Sequence, residues 1–122
     1  MPIPQHLART NREWKALLRS DDKNVVRTKE DWNKLVASKE NPLAGLDIAI
    51  ASKFNESIQF KNGGLASADY SMLVDVLPYS KFMLIWEYAG MSHGLFEEHS
   101  GYSCAKPGDC APNQSHICTD NC

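Results

Sequence analysis

The chain has 122 residues, of which 43% are hydrophobic and 23% are charged, and its formal net charge is -2. This length suits one small domain with a modest hydrophobic core. Basic and acidic residues are interleaved along the sequence, so the charge pattern disfavours nucleic acid as a partner. The longest apolar stretch, from Phe82 to Trp86, is far shorter than the ~20 residues that span a bilayer, which disfavours a membrane partner as well.

Two short N-terminal helices with the same capping pattern are predicted. Thr10 starts a capping box, and Trp14 begins an apolar stripe on a helix from about residue 11 to 20. Thr28 and Trp32 stand in the same arrangement further along the chain. The simpler interpretation is that both tryptophans face the core. The alternative is a duplicated docking element in which Trp14 and Trp32 anchor a partner protein.

The middle of the chain is predicted to form a third helix and a β-hairpin. Pro42 can occupy the first turn of a helix that ends near Ser52. The alternation of apolar and polar residues from Ile58 to Phe60 then indicates a strand. Asn62-Gly63 is a strong signal for a tight hairpin turn. Such a hairpin requires a helix against its apolar face, because two strands alone are not stable.

Two further helices and a short closing turn or helix are predicted after the hairpin. Asp69 can cap a helix that Pro78 stops, and Ser80 can cap a second helix that Gly90 terminates. A turn or helix can follow from Ser92. Together these elements predict an α+β fold, mostly α, with about five short helices and one hairpin. The predicted core draws on large apolar side chains of all these elements: Trp14, Leu17, Leu18, Trp32, Leu35, Leu46, Ile50, Phe60, Leu73, Leu77, Phe82, Ile85 and Trp86.

The C-terminal region differs from the rest in composition. From Ser100 onward, Tyr102 and Ile117 are the only large apolar side chains, so this segment cannot fold by burying apolar surface alone. We therefore predict a folded, helix-rich domain at residues 1–100 and an irregular cysteine-rich tail at residues 101–122. The tail contains every cysteine of the chain: Cys104, Cys110, Cys118 and Cys122.

The four cysteines can act as metal ligands or as disulfide partners. Only Cys118 and Cys122 have the close spacing that is usual in structural zinc sites, whereas copper(I) suits thiolates without that spacing. His116 and His99 lie near the cysteines in the sequence and are secondary candidates. No cofactor is required, because two disulfides are the structural alternative. The spacing does not choose among their three connectivities.

A cysteine-free, foldable part followed by a short tail that ends in Cys122 resembles the precursor of a ribosomally synthesised and post-translationally modified peptide. The resemblance is to this architecture. It implies that residues 1–100 act as a leader that a modifying enzyme recognises, and that the tail is altered and released. The implied modification sites are the four thiols, with Ser103, Ser115 and Thr119 as nearby hydroxyls. Leader binding would raise the effective concentration of the tail at the enzyme.

Catalysis by the chain itself is not indicated, because its sequence has no glycine-rich phosphate loop, zinc-binding His-Glu-x-x-His motif or Gly-x-Ser-x-Gly elbow. The N-terminal residues lack the apolar run of a secretory signal, which predicts synthesis in the cytoplasm. The leading hypothesis is a precursor whose processed tail can be exported. The alternative is a small intracellular interaction or structural protein. Its tail would be a zinc or copper(I) site, or a disulfide staple, that packs on the domain and stays attached.

Overall fold

Within residues 3–122, which the computed structural model describes, the chain forms five α-helices, one short 3-10 helix and a four-stranded antiparallel sheet. The α+β class predicted from the sequence is confirmed. The strand order β1-β2-β4-β3 places β4 inside the sheet. In chain order the elements are α1 (Asn11–Arg19), α2 (Lys29–Val36), α3 (Ile48–Ser57), β1 (Gln59–Lys61), β2 (Gly64–Asp69), the 3-10 helix (Ser71–Leu73), α4 (Tyr79–Tyr88), α5 (His93–His99), β3 (Ser100–Lys106) and β4 (Asp109–Cys118).

The first two helices begin as the sequence predicts. The hydroxyl oxygens of Thr10 and Thr28 each accept a hydrogen bond, at 3.1 Å, from the backbone amide three residues later. These bonds satisfy amides that have no partner inside the helix. The guanidinium of Arg27 donates to the backbone carbonyls of Leu17 and Ser20, at 3.2 and 3.0 Å, and so closes the C-terminal end of α1.

The third helix lies further along the chain than expected, whereas the first hairpin is confirmed. Gly45 has a φ of 89°, which no helix allows, and α3 begins only after Asp47. The carboxylate of Asp47 accepts a hydrogen bond from the amide of Ala49 at 2.8 Å, so it provides a better N-cap than the predicted start at Pro42. The turn residues Asn62 and Gly63 both have positive φ, as the tight hairpin turn requires.

The helix predicted from Asp69 to Pro78 is wrong. Strand β2 continues to Asp69, whose carboxylate accepts a hydrogen bond from the amide of Ser71 at 2.9 Å, and only the 3-10 helix follows. The amide of Tyr70 donates to the carbonyl of Ser115 at 2.9 Å. The amides of Leu73 and Val76 donate to carbonyls three residues earlier, at 2.9 and 3.2 Å, so tighter turns form in place of the α-helix that the apolar periodicity favoured.

Helices α4 and α5 are confirmed, but the predicted cap of α4 at Ser80 is wrong. Helix α4 begins directly after Pro78 at Tyr79, no side chain caps it, and Ser80 lies in its first turn. Gly90 ends α4 with a φ of 97°, and a Cβ atom at this position would lie only 2.7 Å from Leu17 Cδ2. Ser92 caps α5 by accepting a hydrogen bond from the amide of Leu95 at 3.3 Å. The turn between the two helices therefore favours glycine for its backbone angle, and a larger residue would also require the end of the Leu17 side chain to shift.

The core is centred on Trp86, which is fully buried in α4. Its ring stacks on Phe96 with a centroid distance of 5.0 Å, and the edges of Phe54, Phe82 and Tyr70 surround it. The predicted core residues pack here except Leu17, which is half-buried and lies outside the cluster. The predicted core did not include several fully buried members: Phe54, Leu65, Leu95 and Ile117.

The expected irregular tail is instead a β-hairpin. Strand β3 begins at Ser100 and pairs with β4, which also pairs with β2 of the first hairpin. No alternation of apolar and polar residues marks these strands, because most side chains from Ser103 to Gln114 are polar or exposed. The second hairpin has little apolar surface along its length. Its order comes from backbone pairing with β2 and from its cysteines.

Candidate functional site

Strand β4 bends between its two paired parts, and this brings the cysteines together. Residues 109–112 pair with β3 alone, whereas residues 116–118 pair with β2, and Ile117 also pairs with Ser100 of β3. Ser115 lies at the bend between the two parts and has a φ of 61°. The bend returns the chain, so that the Cα atoms of Cys110 and Cys118 lie 5.9 Å apart although both belong to the same strand.

The four cysteines form two disulfides, Cys104–Cys122 and Cys110–Cys118. The Sγ atoms of Cys110, Cys118 and Cys122 all lie within 4.8 Å of one another, and Cys104 is bonded to Cys122. Cys104 is also the direct cross-strand neighbour of Cys110. The four sulfur atoms therefore occupy one site, which we call the sulfur cluster.

The sulfur cluster has a buried side and an exposed side. Cys118 and Cys122 retain only 2% and 6% of their accessible surface and pack with Ala66 of β2. Cys104 and Cys110 lie on the exposed part of the hairpin. Each disulfide consequently joins one exposed cysteine to one buried cysteine.

Backbone carbonyl groups line the sulfur cluster. Each of the four Sγ atoms lies 3.4 to 3.7 Å from a carbonyl oxygen of Lys106, Asp109 or Thr119. A disulfide sulfur has no hydrogen to donate, but a thiol does. In the reduced protein every thiol would therefore find an acceptor without a change in the backbone.

The sulfur cluster has the donor atoms for a soft metal ion only in its reduced form. Tetrahedral zinc with Zn–S bonds of about 2.3 Å places its sulfur ligands about 3.8 Å apart. Three sulfurs lie within 4.8 Å of one another, but those of Cys110 and Cys118 are bonded at 2.00 Å and would have to separate before both could bind one ion. Disulfide bonds remove the thiolate charge that zinc and copper(I) require, so metal binding and the two disulfides exclude each other.

His116 lies beside β2 and not among the sulfurs. Its Nδ1 is 2.9 Å from the carbonyl oxygen of Gln114, and its Nε2 is 3.8 Å from a carboxylate oxygen of Asp69. It does not belong to the group of ligand atoms that the cysteines form. The structure assigns this secondary candidate to the packing of β4 on β2.

His99 is half-buried between α1 and the C-terminal segment. Its ring centroid lies 6.2 Å from that of Trp14, and its Nε2 is buried without a hydrogen-bond partner among the described residues. Burial lowers the pKa of His99 below 6.5, although the charges of Asp120 and Glu98 and a backbone contact with Cys118 oppose the shift. Like His116, it lies outside the ligand group of the sulfur cluster.

The three candidate hydroxyl groups differ in accessibility. Thr119 is fully buried, donates to the carbonyl of Leu65 at 2.7 Å and accepts from the amide of Asn121 at 3.1 Å. Ser103 accepts a hydrogen bond from the side chain of Asn113 at 3.2 Å on the exposed part of the hairpin. Ser115 is half-buried at the bend of β4. A modifying enzyme could therefore not reach Thr119 in this conformation.

Both N-terminal tryptophans are core residues. The indole of Trp14 donates to the carbonyl of Ala89, and that of Trp32 donates to the side chain of Asn55, both at 2.9 Å. Both side chains are almost completely buried. The core interpretation is confirmed, and neither ring is accessible as an anchor for a partner.

A surface arrangement that was not predicted from the sequence joins α4 and α5. The hydroxyl group of Tyr79 lies 2.6 Å from Nδ1 of His93, and Nε2 of the same ring lies 2.7 Å from the carboxylate of Glu97. Tyr79 also borders an apolar groove of about 330 Å³ together with Val74, Leu77, Phe82 and Tyr70. The spacing of His93 and Glu97 by four residues on a predicted helix was the signal that could have found the pair.

Comparison with known proteins adds no family to this description. No protein-family model matches the chain, and neither does any curated protein or solved structure. In the part of the chain that the structure describes, no helix combines the length and the apolar character needed to cross a membrane.

Proposed function

We propose that the protein is a small interaction or structural module in which the cysteine-rich hairpin is a permanent part of the fold, closed by disulfides. The observation that carries this proposal is the position of β4 between β2 and β3. Release of the hairpin would remove the partner of residues 67–69 of β2. It would also remove Ile117 from the core, where this side chain is fully buried.

Residues after β4 support the same proposal. The amide of Thr119 donates a hydrogen bond to the carbonyl of Ala66, and its hydroxyl group donates to the carbonyl of Leu65. The backbone of β2 therefore keeps hydrogen-bond partners in the residue that follows β4. The ammonium group of Lys15 on α1 lies 2.7 Å from the carboxylate of Asp120. The C-terminal segment therefore contacts both the sheet and the first helix.

The disulfides would stabilise the exposed part of the hairpin, which has no apolar core of its own. Its side chains from Cys104 to Cys110 are all exposed, so apolar burial contributes little to their order. A covalent link lowers the conformational entropy of the unfolded chain and stabilises the folded hairpin without a core of its own. Such links persist in an oxidising compartment.

The same module in a reducing compartment would hold thiols, and the reduced sulfur cluster would suit zinc or copper(I). The metal would then replace the covalent links, because Cys110, Cys118 and Cys122 are already close together. Intact mass of the protein from its host distinguishes the two forms. Loss of four hydrogens, restored by a reductant, supports the disulfide form, whereas chelator-sensitive protection of the thiols supports the metal form.

The precursor hypothesis is the competing proposal, and under it the tail is not a permanent part of the fold. It requires residues 1–100 to fold without the tail, because a leader must be recognised as the tail is altered and released. The exposure of Cys104 and Cys110 is compatible with modification, but the burial of Ile117 and Thr119 would have to be reversed before release.

Truncation after residue 100 tests the proposal. We expect the truncated chain to lose its cooperative urea transition, followed by circular dichroism, because β2 loses its neighbour and the core loses Ile117. The matched control is the full-length chain with all four cysteines changed to serine, which retains β4 but not the sulfur links. A truncated chain that unfolds cooperatively at the urea concentration of the full-length protein would contradict the proposal and favour the precursor.

A further inference from the structure

We infer that the sulfur cluster is a site of thiol–disulfide exchange, at which a low-molecular-weight thiol can change the pairing of the four cysteines. This inference rests on the proposed disulfide-closed state of the hairpin. Three features of the described residues carry it: the unequal exposure of the cysteines, the short distances between sulfurs of different disulfides, and a second pairing that the same backbone can hold.

Unequal exposure selects where an external thiol reacts. Cys104 and Cys110 are exposed, whereas their partners Cys122 and Cys118 are buried. A thiolate must reach one sulfur of a disulfide, and the other sulfur then leaves. Attack from solvent at Cys104 or Cys110 therefore leaves the new thiolate on the buried side, next to the second disulfide.

The first step opens one disulfide without net oxidation or reduction. The thiolate of the external thiol attacks Sγ of Cys104 and forms a mixed disulfide with it. The bond between Cys104 and Cys122 breaks, and its electron pair stays on Sγ of Cys122 as a thiolate. The carbonyl oxygen of Cys122 accepts a hydrogen bond from the amide of Gly108 at 2.9 Å, which holds Cys122 at the hairpin after its covalent link is gone.

The second step transfers the exchange to the other disulfide. Sγ of Cys122 lies within 4.8 Å of Sγ of Cys118, so its thiolate can attack that atom. A Cys118–Cys122 bond forms, the Cys110–Cys118 bond breaks, and Cys110 becomes the thiolate. Because Cys110 lies directly opposite Cys104 on β3, it can attack Cys104 in the mixed disulfide, close a Cys104–Cys110 bond and release the external thiolate. Two disulfides exist before and after, and the external thiol is regenerated.

The backbone can hold the second pairing with little change. Directly opposite residues of an antiparallel strand pair have Cα atoms about 4.5–5.5 Å apart, which lies within the range for disulfides. Cys104 and Cys110 are such a pair, and Cys118 and Cys122 are already near each other. In the second pairing the outer part of the hairpin is closed on itself and is no longer linked covalently to Cys122. The two pairings therefore differ in how tightly the hairpin is attached to the domain.

The experiment uses the oxidised full-length protein and reduced glutathione as the probe. Samples taken over time are quenched with acid, which stops exchange by removing thiolates, and are digested at low pH for disulfide mapping by mass spectrometry. We expect peptides linked through Cys104–Cys110 and Cys118–Cys122 to increase with time at the expense of the original pairs. A mixed disulfide with glutathione at Cys104 or Cys110 should precede them, and glutathione should not be consumed.

A matched variant isolates the transfer step. In the double variant Cys104→Ser with Cys122→Ser, glutathione can still react at Cys110, but no second disulfide is present to receive the exchange. In the variant the thiolate of Cys118 can only return to Cys110, so we expect a mixed disulfide with glutathione but no new protein disulfide. If the variant forms this mixed disulfide but the unchanged protein gives no Cys104–Cys110 and Cys118–Cys122 pairs, the transfer step fails and the inference is overturned.

The starting material separates failure of the inference from failure of the proposed function. If the untreated protein has the pairs Cys104–Cys122 and Cys110–Cys118 and glutathione leaves them unchanged, or reduces them without forming the second pairing, the inference is wrong and the disulfide-closed hairpin stands. If the untreated protein has four free thiols, the proposed disulfide-closed state is wrong, and the inference fails with it.

Discussion

The helical region and the cysteine hairpin are ordered by different forces, although they share a strand. Around Trp86, four aromatic rings pack at centroid distances from 5.0 to 6.2 Å, and nearly all large side chains are buried. Around Cys104 the side chains are exposed, and backbone pairing and sulfur bonds provide the order. Strand β4 begins in the second region and ends in the first. A change in composition along the chain therefore does not mark a boundary between structural units.

The substitution Ile117→Ala tests this comparison most strongly. Ile117 belongs to the hairpin in sequence but has 0% exposure, so truncation should lower the free energy of unfolding by about 2–5 kcal/mol. Ile48→Ala is the matched control, because Ile48 is 84% exposed on α3 and its truncation should change stability by no more than about 0.5 kcal/mol. Urea unfolding of both variants measures the difference. Equal, small effects would mean that the hairpin is not part of the core.

Removal of each disulfide in turn should weaken the exposed part of the hairpin by unequal amounts. The residues of Cys104–Cys122 are 18 apart in sequence and those of Cys110–Cys118 are 8 apart. Loop-closure entropy gives about 3.2 kcal/mol for the longer link and about 2.5 kcal/mol for the shorter one. Double serine variants of each pair, unfolded in urea, test this order. A larger loss for Cys110–Cys118 would show that native packing, and not loop length, determines the contribution of these links.

The substitution Thr119→Val tests the polar contact between the two regions. It preserves the shape of the side chain but removes the hydroxyl group that donates to Leu65 and accepts from Asn121. We expect a loss of about 1–2 kcal/mol in the free energy of unfolding, since buried partners lose their hydrogen bonds. Thr119→Ser keeps the hydroxyl group and should recover most of the loss. If serine and valine are equally destabilising, the methyl group rather than the hydrogen bonds is responsible.

The smallest expected effect is a pH dependence from His99. Burial lowers its pKa in the folded protein below the value of 6.5 that it has when exposed, so the unfolded chain binds a proton first as the pH falls. The free energy of unfolding should therefore be highest near neutral pH and should decrease as the pH falls below about 6.5. His99→Gln should reduce this slope in urea midpoints measured between pH 5.5 and 7.5. An unchanged slope in the variant would assign the pH dependence to other groups.

Local signals in the sequence predicted much of the helical region. Thr10 and Thr28 identified the starts of α1 and α2, and Asn62-Gly63 identified the first hairpin, because caps and tight turns depend on residues within a few positions. The helix predicted at residues 69–77 failed for the opposite reason. Strand β2 extends to Asp69 because it pairs with β4, and this pairing joins segments that are distant in sequence, so no local pattern indicates it.

The candidate site was predicted in its membership but not in its geometry. The four cysteines were identified from composition, whereas their pairing depends on the bend of β4 at Ser115. Serine seldom adopts a positive φ, and its presence in a polar segment gives no sign that the strand turns there. The interior position of Ile117 was missed as well, because one apolar residue among polar neighbours has no periodicity.

The position of β4 also sets an order of events during biosynthesis. This strand follows every other helix and strand along the chain, yet it lies between β2 and β3 in the sheet. While the ribosome is still making β4, the edge of β2 remains unpaired and the site of Ile117 in the core remains vacant, a situation that favours slow completion and transient association with other chains. The bond within β4 and the bond from β3 to Cys122, which follows β4, can form in their observed pairing only after this strand has been inserted. Oxidation before that step would trap the chain, so the timing of disulfide formation relative to synthesis should govern the yield of the folded protein.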